Sequence, residues 1–135
     1  RTLPYWQAKL AHEQLKTIDK KVTKKKKNQD IYQKELTDFS VAASSNGVRW
    51  PLLVENRSEV LAKLKQAGVY AEDVWYEVPV TPARLYKTDH FPEETCPVAV
   101  QTTKHILNLP THQLVGAEDI TKICAIIKKE AKIWK

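Results

Sequence analysis

Between Thr81 and Tyr86 the chain sets a hydroxyl (Thr81), a guanidinium (Arg84) and a phenol (Tyr86) on a loop stiffened by Pro79 and Pro82. Prolines lower the entropy lost when such a loop holds one shape. A fixed-charge fork beside two hydroxyls can bind sugar hydroxyls, a carboxylate or a phosphate. The same residues also serve as core aromatics and a surface ion pair, so the residues alone leave both readings open. His112, in the loop after Leu109-Pro110, is the other candidate, because scaffolds present functional groups on such loops. A hydrogen-bonded structural histidine is the competing reading there.

The remaining chemistry is sparse. No glycine-rich phosphate loop, HExxH or GxSxG motif is present, which leaves those enzyme classes without support. His12, His90, His105 and His112 show no metal-ligand spacing with Cys96 and Cys124, so no metal site is expected. His105 falls within a helical pattern and reads as a surface or packing residue. Two cysteines are too few for a disulfide framework, and reduced structural thiols in a cytoplasmic protein are the expectation. The net charge of +6 is local, with Lys20, Lys21 and Lys24 to Lys27 in one helix-compatible run. Nucleic-acid modules usually add interleaved aromatics or a recognisable fold, and this run has none nearby, so it reads as a solvated helix face.

The elements that must position these groups follow from periodicity. At 135 residues with 42% hydrophobic content, the chain can bury roughly two thirds of its unfolded surface. No apolar run reaches the roughly 18 residues of a membrane span, and no signal peptide is recognisable. The chain begins with Arg1 and contains no methionine, so it is expected to be a piece of a longer polypeptide. From Thr2 no glycine or internal proline beyond Pro4 interrupts the chain until Gly47. Ala11, Leu15, Ile18, Val22, Tyr32 and Leu36 keep one face over that stretch. A helix of about 35 residues, roughly 50 Å long, is expected, with its two ends packing on different partners because lysines fill its middle.

Ser44 to Gly47 is turn chemistry. Strands are expected at Val48–Val54, with Pro51 marking an edge or bulge, and at Val74–Val78. Between them Asn56 and Glu59 have capping-box spacing, Val60, Leu61, Leu64 and Ala67 form an inner helical face, and Gly68 suits a left-handed C-cap. Pro97 opens another helix. Ile106 to Leu109 reads as a short strand stopped by Pro110. A last helix from near Gly116 aligns Ile120, Ile123, Cys124, Ile127 and Ala131. The order is α+β, a long N-terminal helix followed by a small antiparallel sheet covered by helices. The division is residues 1–40 as the long helix and residues 41–135 as the α+β domain.

Cys96-Pro97-Val98-Ala99, then Ile106-Leu107-Asn108-Leu109-Pro110-Thr111-His112 with Asp119-Ile120 beyond, resembles the C-terminal region of the DegT/DnrJ/StrS aminotransferases. Trp75-Tyr76-Glu77-Val78-Pro79-Val80 with Pro82 and Tyr86 is similar to the family's preceding segment. Ala8 to Leu15 with Asp19 is similar to the long helix that leaves its large domain. The resemblance implies the small domain of a fold type I enzyme that uses pyridoxal phosphate to transaminate a nucleotide-linked keto sugar, usually as a homodimer. It further implies that the cofactor lysine and phosphate-binding groups belong to a large domain of the same polypeptide, outside this sequence. Nothing in this chain is then catalytic, and it binds no cofactor and is inactive alone. The small domain would close over the cofactor site and make substrate-side contacts through Thr81, Arg84, Tyr86 and His112. Where many members carry Pro-Leu-His in the loop, this chain has Pro79-Val80-Thr81, which points to another substrate subgroup. The alternative is a free-standing basic interaction module that binds nucleic acid or an acidic partner through its lysine-rich helix.

Overall fold

The structure, a computed structural model, describes residues 2–39, 49–71, 78–80, 85 and 93–134. Its centre is a two-stranded antiparallel ladder of β1 (Arg49–Leu53) and β2 (Ile106–Pro110). The register pairs Trp50 with Leu109 and Leu52 with Leu107. All four are buried, because alternate residues of a strand share one face. That face is covered by helices. The other face carries Pro51, half-buried, opposite the buried Asn108. Val54 continues β1 and forms a bridge with Ile133 of the C-terminal tail, and the Trp134 N–H reaches the Leu53 carbonyl at 3.4 Å.

The N-terminal stretch is two helices, not the single one its periodicity predicts. α1 (Tyr5–Leu15) and α2 (Ile18–Glu35) are separated by a turn at Lys16-Thr17. Thr17 sits at φ −111°, ψ 2°, and its hydroxyl donates to the Gln14 carbonyl at 3.1 Å, a side-chain contact that competes with the helical ladder. The predicted core stripe divides accordingly. Ala11, Leu15, Ile18 and Val22 are exposed, whereas Tyr32 and Leu36 are fully buried. The core also takes in Gln29, a polar residue in an intervening slot of that stripe, and Asn28, which the apolar pattern passes over.

α3 (Arg57–Gln66) buries Val60 and Leu64, with Leu61 partly buried; Ala67 lies past its end and is exposed. Gly68 follows at φ +78°, the left-handed C-cap that the sequence predicts. Asn56 precedes α3 but does not cap it through its side chain. Its amide instead donates to Glu59 Oε2 and to the Glu130 carbonyl, both at 2.9 Å, while its oxygen accepts the Lys132 N–H at 2.9 Å. The expected capping box is therefore a tie to the C-terminal tail. α4 (Pro97–His105) has Pro97 in its first turn and runs directly into β2.

α5 (Ala117–Glu130) buries Ile120, Ile123, Cys124 and Ile127 and packs against both α2 and α3. Its amide-rich start is met by its own Asp119, whose carboxylate accepts the Gly116 N–H at 2.8 Å, a favourable charge at a helix N-terminus. On the surface Lys128 donates to Glu35 at 2.7 Å, and this partner holds the Glu35 carboxyl below its ordinary value. Among the described residues no helix is long and apolar enough to cross a membrane. The expected strand at Val74–Val78 lies outside the described residues apart from Val78, and the turn at Ser44–Gly47 lies outside them entirely.

Candidate functional site

β2 must stop at Pro110, and the chain turns through Thr111–Val115 before α5 begins. The Val115 N–H closes the turn on the His112 carbonyl at 3.0 Å. The rest of the turn is held from α2. Tyr32, pushed well above its ordinary pKa by burial and then by Cys124 and Asp119, donates its hydroxyl to the Pro110 carbonyl at 3.1 Å. One helical turn earlier Asn28 donates to the carbonyls of Thr111 and Val115, at 3.1 and 3.2 Å. With its backbone facing α2, the turn leaves the His112 side chain exposed.

His112 lines a cleft of about 670 Å³ between this turn, the outer face of α5 and the segment after Gly68. The floor is apolar, with Val69, Val115, Ile123 and Ile126; Tyr70, Asp119 and Lys122 add polar groups. That volume and mixture suit a small molecule with an apolar body and a few polar substituents. Chemically the imidazole can donate or accept a hydrogen bond and the ammonium of Lys122 can donate. One Asp119 oxygen is already engaged by Gly116. The groove is equipped to hold and orient a ligand. Among its lining residues no nucleophile is paired with a base.

Of the sequence-predicted site residues, His112 is placed at this cleft, and Thr81, Arg84 and Tyr86 lie outside the described residues. Tyr70, Asp119 and Lys122 were not singled out as ligand-facing. Tyr70, just past the left-handed Gly68, and Asp119 and Lys122 on α5 belong to no sequence motif that marks a residue as ligand-facing. His105 has the structural role expected of it: Nδ1 donates to the Val54 carbonyl at 3.1 Å and the ring stacks on Trp134 at 4.6 Å. The lysine run lies on α2, where Lys20, Lys26 and Lys27 are exposed and Lys21, Lys24 and Lys25 half-buried. No feature among the described residues supports the basic-module alternative.

Similarity to known proteins supplies the family. No curated protein matches the chain. Among solved structures it is similar to a DegT DnrJ EryC1 StrS aminotransferase from Brucella abortus, at TM-score 0.72 and 24% identity, over 87% of this chain and 33% of that one. A second is Spr1654 from Streptococcus pneumoniae, assigned as a sugar aminotransferase and solved in its PMP form, at TM-score 0.71 and 20% identity, over 86% of this chain and 32% of that one. A third is Helicobacter pylori PseC, an aminotransferase involved in the biosynthesis of pseudoaminic acid, at TM-score 0.67 and 19% identity, over 89% and 35%. The chain therefore spans about a third of the length of these structures. At such identities the likeness establishes the fold, and the sequence match carries the rest. Residues 2–128 match the DegT/DnrJ/EryC1/StrS aminotransferase family, and the chain belongs to it.

Proposed function

We propose that this chain is the C-terminal small domain of a sugar aminotransferase, inactive alone, that closes over the cofactor site of its parent and contacts a nucleotide-linked keto sugar. The observation that carries this reading is the combination of a family match over residues 2–128 with coverage of only a third of each structural relative. Residues 1–40 lead from the large domain, and residues 41–135 form the small domain, into whose core Asn28, Tyr32 and Leu36 are built. α1 buries none of its residues and exposes Tyr5, Trp6, Leu10 and Leu15. An apolar surface of that extent is expected to be covered, and the large domain of the same polypeptide is its partner in this reading. The parent acts as a homodimer in the cytoplasm. Thr81, Arg84, Tyr86 and His112 are the substrate-side contacts: the guanidinium takes an anionic group, the hydroxyls and imidazole take sugar hydroxyls.

Pyridoxal phosphate belongs to the parent in this reading, in keeping with the PMP form of the pneumococcal relative. The start of α5, the helix N-terminus beside the cleft, is not free to hold its phosphate. A phosphate is ordinarily held by free amides at a helix N-terminus, but α5 already has the Asp119 carboxylate on its leading N–H, and a second anion there would be repelled. The cofactor's lysine and phosphate cradle are accordingly assigned to the large domain.

The coding sequence upstream of Arg1 tests this directly. It is expected to encode a large domain with a cofactor lysine, and the full-length product is expected to transfer an amino group to a nucleotide-linked keto sugar. The 135-residue chain mixed with pyridoxal phosphate is expected to give no stoichiometric, saturable visible band. An initiator codon immediately before Arg1, or such a band from this chain alone, would refute the reading.

A further inference from the structure

We infer that Asn28 is a positioning residue that sets the His112 turn for substrate from the opposite side of the core; this rests on His112 being a substrate contact. Asn28 is fully buried in α2. Its Nδ2 lies 3.1, 3.4 and 3.2 Å from the carbonyl oxygens of Thr111, His112 and Val115. Three carbonyls can only accept, so the atom facing them must be the amide nitrogen. Its two hydrogens serve three oxygens. The longest contact goes to the His112 carbonyl, which already receives the Val115 N–H. A carboxamide, here on asparagine's short stem, offers two fixed N–H donors in a plane without a charge to desolvate.

The amide's other end is informative. Asn28 Oδ1 is buried, with no hydrogen-bond partner among the described residues. Leaving a buried acceptor unpaired is costly; a leucine here would remove that cost but would strip the buried Thr111 and Val115 carbonyls of the donor they meet. A helix that needed only to pack would not carry this amide. The nitrogen therefore does something that packing does not, and what it does is hold the backbone of residues 111–115 toward α2 while His112 points outward into the cleft. Tyr32, one turn further along, extends the hold to the Pro110 carbonyl. Of the carbonyls in the turn that carries the imidazole, those of residues 110, 111, 112 and 115 are thus fixed by two side chains of one helix. That helix is the one that leads back through the Lys16-Thr17 turn to the uncovered face of α1. The position of the imidazole is thereby tied to α2 and, beyond it, to whatever α1 packs on.

The test is made in the full-length enzyme with Asn28→Asp, which keeps the shape but turns a carboxylate oxygen toward three carbonyl oxygens. Asn28→Ser, smaller and uncharged, serves if the aspartate variant does not fold. Ile127→Val, a core change away from the cleft lining, controls for general destabilisation. Amide exchange at Val115 and KM and kcat for the sugar substrate are read together. Both Asn28 variants are expected to speed Val115 exchange and to raise KM about tenfold with kcat within about twofold, the pattern of lost binding rather than lost chemistry; Ile127→Val leaves all three near wild type. His112→Gln is measured in parallel. If His112→Gln raises KM and the Asn28 variants do not, the positioning role is overturned while the reading of His112 stands. If neither His112→Gln nor the Asn28 variants move KM, His112 is no substrate contact and both ideas fall.

Discussion

Replacing Tyr32 with phenylalanine removes one oxygen from the middle of the core and leaves the ring. The ring stacks on Trp50 at a centroid distance of 5.6 Å, and that contact survives the change. What is lost is the bond to the Pro110 carbonyl at 3.1 Å, in a site where Tyr32 has no exposure. A net hydrogen bond contributes about 1 kcal/mol, and an orphaned buried acceptor brings the total loss to about 1–3 kcal/mol. For a domain of this size that lowers Tm by roughly 4–11 °C. The effect has a pH signature. Burial holds the Tyr32 hydroxyl well above its ordinary value, so on raising the pH the unfolded chain loses this proton first. Wild-type stability then falls as pH rises above about 10, the unfolded value, and the phenylalanine variant lacks this component. Urea unfolding of both proteins, followed by tryptophan fluorescence from pH 7 to 11, should show a gap that is largest at neutral pH and narrows above about pH 10. An unchanged midpoint at pH 7 would show that the Tyr32–Pro110 bond does not hold the turn, and a gap that stays constant to pH 11 would show that burial does not hold the hydroxyl's proton.

Two further outcomes are open to direct measurement. Gly68→Ala should destabilise the chain by about 1 kcal/mol, because a left-handed φ is unfavourable for alanine, whereas Gly68→Asn recovers much of the loss. A Cβ there meets nothing within 4 Å, so a large deficit in the denaturation midpoint would have to come from something other than backbone strain. The thiols should separate in labelling at pH 8. Cys124 is buried and its thiol is pushed up to about 11, chiefly by burial, so it should react with a disulfide reagent only after denaturation. Cys96, half-buried before α4, should react in the native chain. Rapid native reaction of Cys124 in a Cys96→Ser chain would contradict the packing of α5.

Much of the architecture was legible because it depends on local chemistry. Gly68 announces a left-handed cap wherever it stands, Pro97 suits a first helical turn, and the spacing of Ile120, Ile123, Cys124 and Ile127 can only be one helical face. The family resemblance, too, could be read from the residues around Leu109-Pro110-Thr111-His112. Local spacing misled where a side chain had a distant choice of partner. Asn56 and Glu59 have the spacing of a capping box, yet Asn56 bonds to Glu130 and Lys132, over seventy positions away. The N-terminal helix looked continuous because neither glycine nor proline interrupts it, and the break at Lys16-Thr17 uses a threonine hydroxyl that apolar periodicity does not register.

By itself, then, the sequence determined the helices at Arg57–Gln66, Pro97–His105 and Ala117–Glu130, the strands at Arg49–Leu53 and Ile106–Pro110, which face of the last helix is buried, and the family, since each of these follows from residue types a few positions apart. Only the tertiary structure decided that β1 pairs with β2 across more than fifty residues, that the first half of the N-terminal stretch is exposed while the second is core, and that Asn28, lying at the end of a lysine run, meets the turn of His112. Those are decisions about which distant groups come within bonding distance. A polar residue's partner depends on the packing of the whole chain, and no pattern within one helix can specify it.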